Sequence, residues 1–137
     1  MSSAKRLHLE DAEQRAFVEW AQLVRIPKTG EPVSNYLFAI PNGGNRNVIE
    51  AKRLKAAGVK AGVSDLFLSY PSVSVHGLYI EMKKRRKDFS SDAIANLAVT
   101  ENQKLWIYRM RAAGYMAVVC YGANEAITVV RTYLGIK

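Results

Sequence analysis

A mixed α/β domain, a small sheet flanked by helices, is the fold class this sequence predicts. Three observations predict it. Stretches with apolar residues at helical spacing alternate with short apolar runs bounded by Gly, Pro and Asn. Helix start and stop signals stand where those stretches meet, among them Thr100-Glu101-Asn102-Gln103 and the glycines Gly58 and Gly114. The 137 residues, 49% of them hydrophobic, suit one domain over residues 1–137 with a core of its own.

From about Leu9 to Arg25, Phe17, Trp20, Ala21 and Val24 fall on one face of a helix. Extending that register backward puts Glu10 and Gln14 on the same stripe, with Glu13 at its edge and Glu19 facing solvent. Two readings of Glu10 and Glu13 stand: they favour the positive end of the helix dipole, or they aim into a site. Ile26-Pro27 through Glu31-Pro32 breaks the helix. Tyr36 to Ile40 reads as a buried strand ending at Pro41, and Asn42-Gly43-Gly44-Asn45 as a turn. A basic helix follows from Asn47 to Ala57, closed by Gly58. Leu66 to Tyr70 and Gly77 to Lys83 are two strands joined through Pro71 to Ser74. Asp88 to Val99 reads as a loop or a short helix. Thr100 then begins a capping box before a helix reaching Ala113, Tyr115 to Tyr121 is an apolar strand, and a last helix runs from about Asn124 to Leu134. The predicted order is α-β-α-β-β-α-β-α, without internal repeats.

The formal charge of +8 points toward a polyanionic partner, because Lys and Arg replace counterions condensed on phosphates. The single cysteine, Cys120, excludes a disulfide framework and a cysteine-based zinc site, and reads as a small buried hydrophobe. No apolar run approaches the roughly 20 residues of a membrane span, and no signal-peptide pattern follows Met1, so an intracellular protein is expected.

Asp65 and the triplet Glu81-Met82-Lys83 carry the chemistry. Side chains alternate along a strand, so Glu81 and Lys83 share a face and Met82 takes the other. If the two strands pair antiparallel, Asp65 at the start of one meets Glu81 and Lys83 at the end of the other. Two carboxylates can hold a hard divalent cation through oxygen, and a neighbouring lysine can act on water. Two roles are open to Lys83, proton acceptor or orienting group. Gln103 reads as the last member of the capping box. Asn42, Arg46, Lys52, Lys55 and Lys60 are candidate contacts to a nucleic-acid backbone. So are Lys84, Arg85, Arg86 and Lys87, read as a continuation of the strand that bears the site. Gly58 and Gly62 around Lys60 either allow close approach to a phosphate or, at Gly58, only end a helix. His8 and His76 have no metal-ligand spacing, and Trp20 and Trp106 read as core.

Asp65 with Glu81-Met82-Lys83 resembles the D…ExK signature of the PD-(D/E)XK nuclease superfamily. Taken in order with Glu10 and Gln14, Asn42-Gly43-Gly44, the run Gly58 to Asp65, and Gln103 with Trp106 ahead of Gly114, it resembles the VRR-NUC domain, the virus-type replication-repair nuclease. The likeness spans about Glu10 to Gly122 and is to the stand-alone phage and bacterial type. Ser64 stands where many relatives have proline. The resemblance implies a restriction-endonuclease-like fold and a metal-dependent endonuclease that uses Mg²⁺ or Mn²⁺. It makes Asp65, Glu81 and the Met82 carbonyl metal ligands and has Lys83 act on the attacking water. Glu10, or Glu13 if the register shifts by one turn, becomes the first-helix acid, and Gln103 lies against the site. It further implies branched, Holliday-junction-like DNA as substrate, 5′-phosphate products, a role in replication or repair, a homodimer, and the cytoplasm of a bacterial or phage-infected cell. A restriction-type or nicking endonuclease and a non-catalytic DNA-binding module are the alternatives.

Overall fold

The computed structural model describes residues 3–41 and 47–137. Its elements are α1 (Ser3–Leu23), β1 (Leu37–Ala39), α2 (Val48–Ala56), β2 (Leu66–Leu68), β3 (Leu78–Lys83), α3 (Asp92–Leu97), α4 (Glu101–Ala112), β4 (Met116–Tyr121) and α5 (Ala123–Leu134). The strands form one mixed sheet in the order β1-β2-β3-β4. β1 and β2 pair antiparallel, as do β2 and β3, while β3 and β4 run parallel. A parallel pair needs a crossover, and α3 and α4 supply it.

Alternation along the strands sorts side chains into two layers. Leu66, Leu68, Leu78, Ile80, Met82 and Cys120 face Phe17 and Ala21 of α1 and Ala126 and Val130 of α5, and this is the main core. The opposite face of β3 and β4 packs against α4, where Trp106 meets Tyr79 edge-on. Cys120 is fully buried, as its apolar neighbours predict, and burial pushes its thiol up to about 12.

Three expectations need correction, and one open reading is decided. α1 starts at Ser3, not near Leu9: Ala4 to Leu7 are good helix formers without a Pro or Gly, and the helix continues through them. β1 is not a buried strand but an edge strand, with Phe38 51% exposed. Of the two readings of Asp88 to Val99, loop or short helix, the helix holds: the stretch contains α3, whose first turn is capped by Ser91 Oγ accepting from the Ile94 N–H at 3.2 Å. β3 ends at Lys83, so Lys84 to Lys87 do not prolong it. β4 leaves the sheet at Gly122, whose N–H donates to the Lys83 carbonyl at 2.9 Å, and without a partner strand the chain turns into a short 3₁₀ segment at Arg86–Asp88.

The loop between α2 and β2 is tied to the start of α4. Gly62 sits at φ +87°, and a Cβ there would lie 2.4 Å from the Asn102 carbonyl oxygen. Only glycine allows both this backbone conformation and this approach. The loop ends on Ser64, fully buried, and delivers Asp65 to the sheet.

Candidate active site

The β2–β3 register pairs Leu66 with Ile80, which sets Asp65 and Glu81 opposite each other just beyond the ladder. The Met82 N–H donates to Asp65 Oδ2 at 2.7 Å, and the Ile40 N–H donates to the Asp65 carbonyl at 2.7 Å. Asp65 is therefore fixed from both sides, by β3 and by the chain leaving β1.

Glu81 and Lys83 are both buried, at 3% and 5% exposure, and their charged ends need partners. Gln103 provides them. Its Nε2 donates to Glu81 Oε2 at 3.2 Å, and its Oε1 accepts from Lys83 Nζ at 3.2 Å. Lys83 Nζ also stands 3.9 Å from Glu81 Oε2. The amide does this while closing the capping box of α4: Gln103 Oε1 accepts from the Thr100 N–H at 2.9 Å, and Thr100 Oγ1 accepts from the Gln103 N–H at 3.2 Å. Cap and site contact are one arrangement.

α1 adds a third carboxyl. Glu10 and Gln14 line a cleft of about 260 Å³ together with Leu7, Asp11, Asp65 and Met82. Burial raises the Glu10 pKa, a rise that Lys83 opposes and Asp65 reinforces. Glu81 is pushed up to about 9, first by burial, then by the charge of Asp65 and a hydrogen bond to it, against the opposing pull of Lys83. Acids packed this closely compete for protons, and a cation among them removes the competition. Among the described residues no three His, Cys, Asp or Glu side chains already converge as a metal cluster. Hard oxygen donors set against one another, with Glu10 across a cleft, nonetheless fit a divalent cation such as Mg²⁺ or Mn²⁺.

The other predicted residues are placed as follows. Glu13 turns away from the cleft. Its Oε1 accepts from the Ala123 N–H at 3.0 Å, at the start of α5, and Oε2 lies 3.9 Å from Arg85 Nε. Lys52, Lys55, Lys60 and Lys87 are exposed. Lys84 is buried, with Nζ 4.3 Å from the Phe89 ring centre. Arg85 pairs with Asp88 at 3.2 Å, and Arg86 with Glu125 at 2.8 Å while lying over the Tyr121 ring. Asn42 and Arg46 lie outside the described residues. Sequence reasoning missed a row of rings beside the carboxylates, Phe38, Phe67 and Tyr79; the signal was an aromatic two positions after Asp65 and another two before Glu81.

Comparison with known proteins shows the family and the fold. The VRR-NUC domain family model matches residues 4–124. A solved structure called VRR_NUC domain protein superposes with a TM-score of 0.74 at 29% identity, covering 93% of this chain and 89% of that one. The likeness bears out the restriction-endonuclease-like architecture expected from the sequence. No curated protein matches the chain.

Proposed function

The chain belongs to the VRR-NUC domain family, nucleases of the PD-(D/E)XK type, and from that premise we propose that it is a Mg²⁺- or Mn²⁺-dependent deoxyribonuclease that cuts branched, Holliday-junction-like DNA. One observation carries the reading: Asp65, the pair Glu81 and Lys83, and Gln103, separated in sequence, meet at the end of one sheet. Asp65, Glu81, the Met82 carbonyl and Glu10 would hold the cation. When bound, a divalent cation neutralises the phosphodiester, activates water and steadies the departing oxygen.

The protein's own groups do the positioning. The Met82 N–H and the Ile40 N–H hold Asp65, and Gln103 holds Glu81, so both acids meet the substrate without rearranging. Lys83 donates to Gln103 and stands beside Glu81, which suits a group that orients the attacking oxygen. The net charge of +8 draws the phosphate backbone in, and Lys52, Lys55, Lys60 and Lys87 are exposed to meet it. Arg85 and Arg86 meet a phosphate only by exchanging their carboxylate partners. A small domain reads shape and backbone more than bases. Resolving a symmetric junction takes two sites, which favours a homodimer acting on cytoplasmic DNA during replication or repair. Among the described residues no helix is long and apolar enough to cross a membrane.

The test uses purified protein with a labelled four-way junction and its matching linear duplex, in Mg²⁺ or EDTA. The expected result is junction-selective cutting that needs Mg²⁺ and is abolished in Lys83→Ala and Asp65→Asn, the latter still binding DNA. Equal cutting of duplex would favour the restriction-type reading, and binding without cutting the non-catalytic one. A monomeric mass with and without junction would count against the dimer.

A further inference from the structure

The sheet face that bears the carboxylates also carries aromatic rings that the proposed reaction does not use. Phe38 of β1 pairs across the strands with Phe67 of β2, and Phe67 with Tyr79 of β3. Their ring centres are 5.7 Å and 4.4 Å apart with the ring planes at 72° and 36°, and Trp106 of α4 closes the row edge-on against Tyr79 at 5.5 Å. Residues two apart on a strand share a face, so Phe67 stands with Asp65, and Tyr79 with Glu81 and Lys83. The row and the acids are one pleat apart, about 7 Å along the strands. Phe38 is 51% exposed at the open end, and Phe67, Tyr79 and Trp106 are half-buried.

We propose that Phe38, braced edge-on by the inner rings of this row, is a stacking platform for an unpaired nucleobase of the DNA strand whose phosphodiester lies at Asp65 and Glu81. The inference rests on the nuclease reading and names the feature of the substrate that this site takes. Stacking on flat rings tolerates any base, but only a base freed from the duplex can reach them. Branch points and flaps supply such bases; a continuous duplex does not. Two features favour DNA as the occupant: the row is continuous with the acids that would meet a phosphate, and the chain carries a net charge of +8. A second copy of the chain is the other candidate. The exposed half of Phe38 offers roughly 100 Å², whereas a stable protein interface takes about 800 Å² from each partner.

Binding is measured in EDTA, so that stacking is read without cutting, by anisotropy on three DNAs of one sequence: single strand, continuous duplex and four-way junction with an unpaired flap. 2-Aminopurine placed in the flap reports stacking directly. Phe38→Ala should weaken single-strand and flap binding about tenfold, within the range for losing one stacked base, and abolish the 2-aminopurine quench, with duplex affinity unchanged within about twofold. Phe38→Tyr should restore both and Phe38→Leu neither. No loss, an equal loss on all three DNAs, or full retention in Phe38→Leu would overturn the platform. So would a change of oligomeric mass in Phe38→Ala at unchanged DNA affinity, which would assign the row to a second copy. A wild-type protein that quenches the flap base yet cuts nothing in Mg²⁺ would support the platform and sink the nuclease reading.

Discussion

Gly62→Ala should be far more damaging than its place in a loop suggests. At φ +87° a non-glycine residue is strained, by about 1–2 kcal/mol. The new methyl would also sit 2.4 Å, 2.5 Å and 2.7 Å from the Asn102 carbonyl oxygen, carbonyl carbon and Cβ, all closer than real contacts allow. Two of those atoms belong to the backbone of α4's first turn, which cannot swing aside like a side-chain tip. Relieving such overpacking costs about 1–3 kcal/mol more, so the total is about 2–5 kcal/mol. Gly58→Ala is the matched control: φ is +108° there, and nothing lies within 4 Å of the added Cβ. It incurs only the backbone strain. Urea denaturation of both variants separates the steric part from the conformational part, as a larger fall in midpoint for Gly62→Ala at unchanged slope. The displaced residue, Asn102, precedes Gln103, so nuclease activity should also fall further in Gly62→Ala than in Gly58→Ala. Equal destabilisation by the two variants, within about 0.5 kcal/mol, would refute the close packing of this loop on α4.

Glu81 should give the metal-free protein a pH-dependent weakness. Between the ordinary carboxylate range and about 9 the folded chain keeps a proton on Glu81 that the unfolded chain has released, so this group's contribution to stability falls as pH rises. The melting-temperature advantage of Glu81→Gln over wild type in EDTA should therefore widen from pH 5 to pH 9, and a constant gap would contradict the buried acid pair. Gln103→Leu removes the partner of Lys83, Glu81 and the Thr100 N–H together; it should cost about 1–3 kcal/mol of stability and lower cutting at least tenfold at temperatures where the variant is fully folded. Thr100→Ser keeps the cap and should behave as wild type, which steady-state cleavage rates would check. Cys120 is fully buried with its thiol pushed up to about 12, so it should react with a thiol reagent only in denaturant; rapid labelling of native protein would show the core between the sheet and α5 to be open.

What could be read from the sequence was what depends on neighbours within a few residues. The alternation through Gly77 to Lys83 and the turn residues before it are local, and they suffice to pair β2 with β3 and set Asp65 against Glu81. The capping box at Thr100 is local too. Apart from the start of α1, the misreadings turn on distant partners. A run such as Tyr36 to Ile40 looks the same at the edge of a sheet as at its centre, because nothing within it says whether a strand lies on both sides. Lys84 to Lys87 leave the sheet because β4 leaves it at Gly122. Glu10 and Glu13 sit on adjacent parts of one helix face, and periodicity alone does not separate them. The structure does, because the start of α5, 110 residues further on, takes up Glu13 and leaves Glu10 to the cleft.

The choice of glutamine at position 103 follows from the charges around it. In the ionised form that a bound cation favours, Glu81 is a carboxylate beside the ammonium of Lys83; both are buried, must be satisfied from the same direction, and require opposite hydrogen-bonding partners. A primary amide offers an acceptor and donors at its two ends without a charge of its own. Glutamate there would add a further negative group to Asp65, Glu81 and Glu10, and lysine would repel Lys83. An amide can also be turned end for end, which would set donor against ammonium and acceptor against carboxylate. The Thr100 N–H prevents this: a backbone amide can only donate, so it fixes Oε1 toward itself and Lys83 and leaves Nε2 for Glu81. The capping box that starts α4 thereby sets the orientation of the group that holds the two buried charges together. The local signal that begins a helix and the arrangement of the site are the same four hydrogen bonds.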